Sequence, residues 1–138
     1  RSARGTTDVS LNQAGGYVDM PGMTLTFTPS KSSVVVHFTA SGTYSGTFTE
    51  GQYLQFRILV NGATVQSAGC ATQVGGYNDF FGESNNLWEA GVSVVVPVTA
   101  GVGTTIKVQW DFSSLFNNTV YCYPATQDQS NRNLIILE

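Results

Sequence analysis

Apolar and polar positions alternate with a repeat of two along most of this chain, the mark of strands with one buried face. The clearest stretch is Leu87 to Phe112, LWEAGVSVVVPVTAGVGTTIKVQWDF. Val92, Val94 and Val96 alternate there with Ser93 and Val95, Pro97 closes the run, and Ala100-Gly101-Val102-Gly103 reverses the chain. Thr105, Lys107 and Gln109 then alternate with Ile106, Val108 and Trp110, so the stretch reads as two strands folded on each other. Earlier, Met23, Leu25 and Phe27 share a face opposite Thr24, Thr26 and Thr28. In Ser33 to Ser41, Val34, Val36, Phe38 and Ala40 share one face, and Val35, His37 and Thr39 the other. A strand apolar on both faces is expected at the centre of a sandwich or under a neighbouring subunit.

The same reading predicts a strand over Tyr53 to Val60, ended by Asn61-Gly62. That dipeptide suits a type I′ turn, whose two central residues both need positive φ, and a hairpin partner follows in ATVQSA. Thr7 to Ala14 is expected as an edge strand with Val9 and Leu11 inward, and Met20-Pro21-Gly22 as a turn. Gly42 to Gly51 reads as a polar crossing, Val120-Tyr121-Cys122 as a short strand, and Asn133 to Glu138, NLIILE, as a terminal strand with apolar residues on both faces. Arg1 to Gly5 has no pattern. The expectation is a mobile tail over residues 1–6, with Arg-x-x-Arg as a processing or excision remnant, and one domain over residues 7–138. No run of ten residues carries a helical period. Eight to ten short strands at this spacing predict an all-β antiparallel sandwich, a jelly roll.

Composition sharpens the setting. At 138 residues the chain is long enough to bury a core without metals or several disulfides. Charged residues make up 11%, against the usual quarter, so the polar surface falls to Ser, Thr, Asn, Gln and 15 glycines. Such a composition suits extracellular or virion proteins. The net charge of −3 and six scattered basic residues speak against nucleic acid, which needs a concentrated positive footprint. No apolar run reaches the roughly 18 residues of a membrane span. The start shows no leader-like pattern, so a mature, excised or phage-type chain is expected. Cys70 and Cys122 belong to no C-x-x-C pair, and His37 alone does not complete a zinc site with them. In a chain of extracellular character they are expected to form a disulfide, worth about 4 kcal/mol on the chain-entropy estimate. The alternative is two buried thiols acting as small hydrophobes.

Four stretches, DMPGMTLTFTPSKSSVVVHFTASG, LQFRILVNGATV, VSVVVPVTAGVGTTIKVQW and NLIILE, follow one another over most of residues 17–138. Their order resembles the jelly-roll head domains of the tumour necrosis factor and complement-head superfamily, above all bacterial and phage members on appendages, spore surfaces and fibres. The resemblance implies a compact homotrimer that binds a cell-surface receptor or a glycan and carries no catalytic residues. The aromatic-rich signatures of the animal members are missing, and no Gly-X-Y stalk precedes the domain. That removes receptor signalling from the expectation and leaves a trimeric adhesive or structural head.

Candidate chemistry is sparse. His37, the single histidine, has Val35 and Thr39 as strand neighbours and no acid to make a dyad. It is expected in packing or at an interface, where its change of charge would make assembly pH-sensitive. Val35 and His37, with Ile135 or Leu137, are the expected oligomer contact, because they put apolar surface on strand faces that a lone sandwich leaves wet. Hydrolysis without histidine needs paired carboxylates, and Asp79, Glu83 and Glu89 form the single acidic cluster. The segment around them has three readings. Asn78, Asp79, Glu83 and Asn85 offer oxygens for calcium, though at no calcium-loop spacing. Tyr77 and Trp88 offer stacking faces for a glycan or receptor, with Asn78, Asp79 and Asn85 as hydrogen-bonding groups. Or the segment is a loop pinned by Phe80 and Phe81. Asn117 heads an N-glycosylation triplet. No metal or cofactor is expected. The reading is a non-enzymatic trimeric head on an extracellular, cell-surface or virion appendage. A monomeric carbohydrate-binding module competes with it, and a glycoside hydrolase stands third.

Overall fold

The computed structural model describes residues 1–12, 16–45, 53–72, 86–113, 119–122 and 132–138. They form ten strands: β1 (Ser2–Arg4), β2 (Val9–Asn12), β3 (Val18–Phe27), β4 (Ser33–Ser45), β5 (Tyr53–Val60), β6 (Ala63–Thr72), β7 (Asn86–Pro97), β8 (Thr104–Ser113), β9 (Thr119–Cys122) and β10 (Arg132–Leu137). All strand pairs are antiparallel. One sheet has four strands in the order β3-β8-β5-β6. The other has six and turns on β4. β7 pairs with one edge of β4 from Ser33 to Tyr44. The opposite edge is shared end to end by β10, over Val35 to Ala40, and β9, over Thr43 to Ser45. β1 lies outside β10 and β2 outside β9. The chain passes from sheet to sheet at β2–β3, β3–β4, β4–β5, β6–β7, β7–β8 and β8–β9, the connectivity of an antiparallel jelly roll.

The inward positions are those the alternation marks. From the six-stranded sheet come Val34, Val36, Phe38 and Ala40 of β4, Trp88 and Val96 of β7, and Leu134 and Ile136 of β10. They meet Met20, Met23 and Phe27 of β3, Leu54, Phe56 and Ile58 of β5, and Ile106, Val108, Trp110 and Phe112 of β8. The sheets interlock through Phe56, whose ring centre lies 5.3 Å from that of Phe38 and 5.9 Å from that of Trp88. Burial of each large side chain is worth about 1.5–3 kcal/mol.

Asn61 and Gly62 have φ of 49° and 86°, the positive pair of a type I′ turn. Asn61 is also tied to β8: its amide donates to the Thr105 carbonyl and its Oδ1 accepts from the Thr105 amide, each at 2.8 Å. Residues 28–32, 61–62 and 98–103 lie at one end of the sandwich. The strand ends adjoining residues 46–52, 73–85 and 114–118 lie at the other, whereas β9 ends and β10 begins partway along β4, with Tyr121 opposite Thr43 and Arg132 opposite Ala40.

Three expectations need correction. Residues 2–4 are not a tail but β1, paired with β10 from Ser2↔Ile135 to Arg4↔Asn133. Backbone pairing holds them where side-chain pattern gave no cue. Met20-Pro21-Gly22 does not end a strand. It is a bulge inside β3, where the register against β8 shifts between Asp19 and Thr24 and Gly22 takes φ of 77°. Arg132 caps this bulge from β10. Its guanidinium, 1% exposed, donates from Nε to the Pro21 carbonyl at 2.9 Å and from Nη1 to the Cys122 carbonyl at 3.4 Å. Finally, no disulfide is seen among the described residues. Cys122 is a buried thiol whose Sγ meets the Ser41 carbonyl at 3.2 Å. Its strand, β9, lies in the six-stranded sheet, whereas Cys70 lies on β6 at the edge of the other sheet. Burial pushes the Cys122 thiol above its ordinary pKa, and the hydrogen bond from Arg132 only partly opposes that rise.

Candidate functional site

Two sheet faces point away from the core, and their chemistry differs. On the six-stranded sheet the pairing register lines up outward side chains in rows across β10, β4 and β7. One row is Leu137, Val35, Val95. The next is Ile135, His37, Ser93, with Ser2 beyond Ile135. A third is Asn133, Thr39, Gly91, with Arg4 beyond Asn133. Val95 is 65% and Leu137 55% exposed, while Val35, His37 and Ile135 are half-buried by one another. Three neighbouring strands thus carry a continuous apolar band, and none of its residues is charged.

Past the third row, Ser41 stands opposite Glu89. A hollow of about 370 Å³ runs along β4 and β7 here, lined by Thr39, Ala40, Ser41, Glu89, Ala90 and Gly91. It exists because Gly91 has no side chain on this face, while Ala40 and Ala90 turn theirs inward to the core and offer the hollow only backbone. Thr39, Ser41 and Glu89 give it a polar rim beside the apolar band.

The outward face of the four-stranded sheet is polar and already bonded to itself. The Arg57 guanidinium lies 4.2 Å from the centre of the Tyr17 ring, and Arg57 Nε donates to Gln109 Oε1 at 2.7 Å. Gln109 Nε2 donates to Asp19 Oδ1 at 2.5 Å, and Lys107 Nζ to Asp19 Oδ2 at 2.9 Å. Tyr17 donates to Gln55 Oε1 at 3.0 Å. The hydrogen bonds of Lys107 and Gln109 hold the Asp19 carboxyl below its ordinary value of 3.8. Asp111, opposite Gln55 on this face, keeps Oδ1 buried without a hydrogen-bond partner.

The structure brings Val35, His37, Ile135 and Leu137 together on one face, with Ile135 directly across from His37 and Leu137 from Val35. It places Trp88 inside the core, 2% exposed, so that ring is spent on Phe56 and not offered to a ligand. Tyr77, Asn78, Asp79, Glu83, Asn85 and Asn117 lie outside the described residues. Val95 was missed by sequence reasoning although its signal was present. It sits opposite in phase to Val94 and Val96, but only the β4–β7 register shows that it extends the Val35 row. The ladder from Tyr17 to Lys107 and the buried Arg132 were also missed, because polar residues in a strand pattern do not announce their partners.

Ser93 faces His37 across the β4–β7 pair, and among the described residues no carboxylate shares their row to orient the imidazole. Among the described residues, no group of three or more His, Cys, Asp or Glu is placed to hold a metal ion. No helix there is long and apolar enough to cross a membrane. No protein-family model matches this chain, and no curated protein is significantly similar to it.

Proposed function

We propose that this protein is a non-enzymatic, homotrimeric head domain of an extracellular, cell-surface or virion appendage, acting in adhesion, receptor or glycan binding, or as a structural cap. The carrying observation is the apolar row Leu137, Val35, Val95, displayed on the outward face of a sheet. In a chain with so few charges, a band of this kind usually marks a contact that is covered in the working assembly. The edge strand β7 argues the same way. It is twelve residues long, and between Glu89 and Pro97 it bears no charge. Edges of that kind invite pairing with other chains unless something covers them. The threefold state comes from the resemblance to tumour-necrosis-factor-like and complement-type heads, with which the jelly-roll connectivity agrees. In such an assembly the polar four-stranded face stays available to a partner.

Light scattering across a dilution series tests the proposal. It predicts three chains per particle at micromolar concentration, and a single chain throughout would contradict it. A second reading, a monomeric carbohydrate-binding module, draws on the ladder of Tyr17, Arg57, Gln109 and Asp19. Planar side chains pre-set by mutual hydrogen bonds suit sugar hydroxyls. That reading predicts a monomer that binds glycans and loses them in Arg57→Ala.

A further inference from the structure

Resting on the reading that the outward face of the six-stranded sheet is the subunit contact, we propose that His37 makes this contact acid-labile: the assembled protein separates into single chains as pH falls through the range where histidine gains its proton. The geometry around the ring is the ground. His37 stands in the second row of the face, directly opposite Ile135 of β10 on one side and Ser93 of β7 on the other. Along β4 its outward neighbours are Val35 and Thr39. Diagonally it meets Leu137 and Asn133 on β10, and Val95 and Gly91 on β7. None of these eight residues titrates. Among the described residues, the charged groups on this face are Arg4, in the next row beyond Asn133, and Glu89, two rows away opposite Ser41, with the Arg1 ammonium at the sheet margin, donating to the Ile136 carbonyl at 2.7 Å. Among the described residues no carboxylate therefore stands beside the ring to compensate a positive charge, and the one charge in the adjoining row has the same sign.

Covering this face strips water from the imidazole. A neutral ring tolerates apolar surroundings, whereas an uncompensated imidazolium does not. The covered ring thus stays neutral, and the separated chain is free to take the proton. Linkage gives the sign. Assembly is complete above the ordinary imidazole range and is lost as pH falls through it, because the separated chains bind more protons. With three copies of His37 per assembly the association constant falls by up to about a thousandfold per pH unit below that range, ten for each proton.

The test is light scattering at fixed ionic strength, at pH 8.0 and pH 5.5, on the wild type and on His37→Gln and His37→Leu. Circular dichroism checks that the chains stay folded. Asp19 and Glu138 are both held below their ordinary carboxylate values by hydrogen bonds, so neither changes charge between these two pH values. The expected result is a wild type that is trimeric at pH 8.0 and single-chain at pH 5.5, and at least one variant that is trimeric at both. A wild type that is trimeric at both values overturns the switch and leaves the contact standing. So does dissociation at pH 5.5 of every variant that assembles at pH 8.0. A wild type that is single-chain even at pH 8.0 overturns the contact and the switch with it.

Discussion

Gly5 donates its amide hydrogen to the Arg132 carbonyl at 3.0 Å and lies so close to that residue's buried side chain that no Cβ fits between them. The contact packs the segment after β1 over the arginine that caps the β3 bulge. Gly5→Ala is therefore expected to destabilise the fold by about 1–3 kcal/mol, the range of overpacked cores. Denaturant titration checks this against Gly103→Ala, where nothing lies within 4 Å of the new methyl group and the loss is expected to be within about 0.5 kcal/mol. Equal midpoints for the two variants would show that the arginine simply moves aside.

Arg132 itself gives a second prediction. Arg132→Met keeps the apolar stem but removes the hydrogen bonds that the guanidinium gives to the Pro21 and Cys122 carbonyls. The expected cost is about 1–3 kcal/mol. Arg132→Lys should recover only part of it, since a compact ammonium lacks the planar fork that spans two acceptors. Chemical denaturation of the three proteins at neutral pH measures both differences, and a fully stable lysine variant would contradict the account of the fork.

The strands and their inner faces were legible in the sequence because burial imposes a repeat of two. The assignments of Val34, Val36, Phe38 and Ala40 inward, and of Val35, His37 and Thr39 outward, follow from that alone, as does the Asn61-Gly62 turn. Pairing is where single-strand patterns run out. β1 is held by backbone hydrogen bonds to β10, which leave no trace in the side chains of Ser2, Ala3 and Arg4. Pro21-Gly22 carries the same residues whether the chain turns or bulges, and the choice was made by β8 continuing on both sides. At the candidate site, Val35, His37, Ile135 and Leu137 were readable one strand at a time. Val95 joined them only through register. Trp88 looked like a binding residue because aromatic rings serve cores and ligands alike, and the inward phase of β7 decides for the core.

The cysteines give a third prediction. Cys122 is buried with its thiol pushed above the ordinary value, so the native chain should resist alkylation there at neutral pH, the thiolate being the reactive form. In denaturant without reductant both cysteines should label, as read by intact mass. Two unlabelled cysteines, with a mass lower by about two hydrogens, would restore the disulfide.

Acid should act on the polar face in a defined direction. Asp19 is held below 3.8 by Lys107 and then Gln109, so its contribution is present above 3.8 and disappears as pH falls through its lower native value. Its side chain is 55% exposed and its ion pair screened, so the effect is small, about 1 kcal/mol at most. Stability measured from pH 5 to pH 2 should fall more steeply in the wild type than in Asp19→Asn, and less so in high salt. Parallel curves would show that the ladder adds nothing to folding.

The apolar row bears most directly on what the protein does. Val95 and Leu137 are more than half exposed, so a lysine at either costs the isolated chain little, within about 0.5 kcal/mol. Inside a covered contact the same charge is prohibitive. The decisive measurement is light scattering on the wild type, Val95→Lys and Leu137→Lys at one concentration and pH 8.0, with circular dichroism to confirm the fold. The account predicts three chains per particle for the wild type and one for each variant. A wild type that travels as a single chain, or variants that keep its mass, would contradict the assignment of this face as the subunit contact.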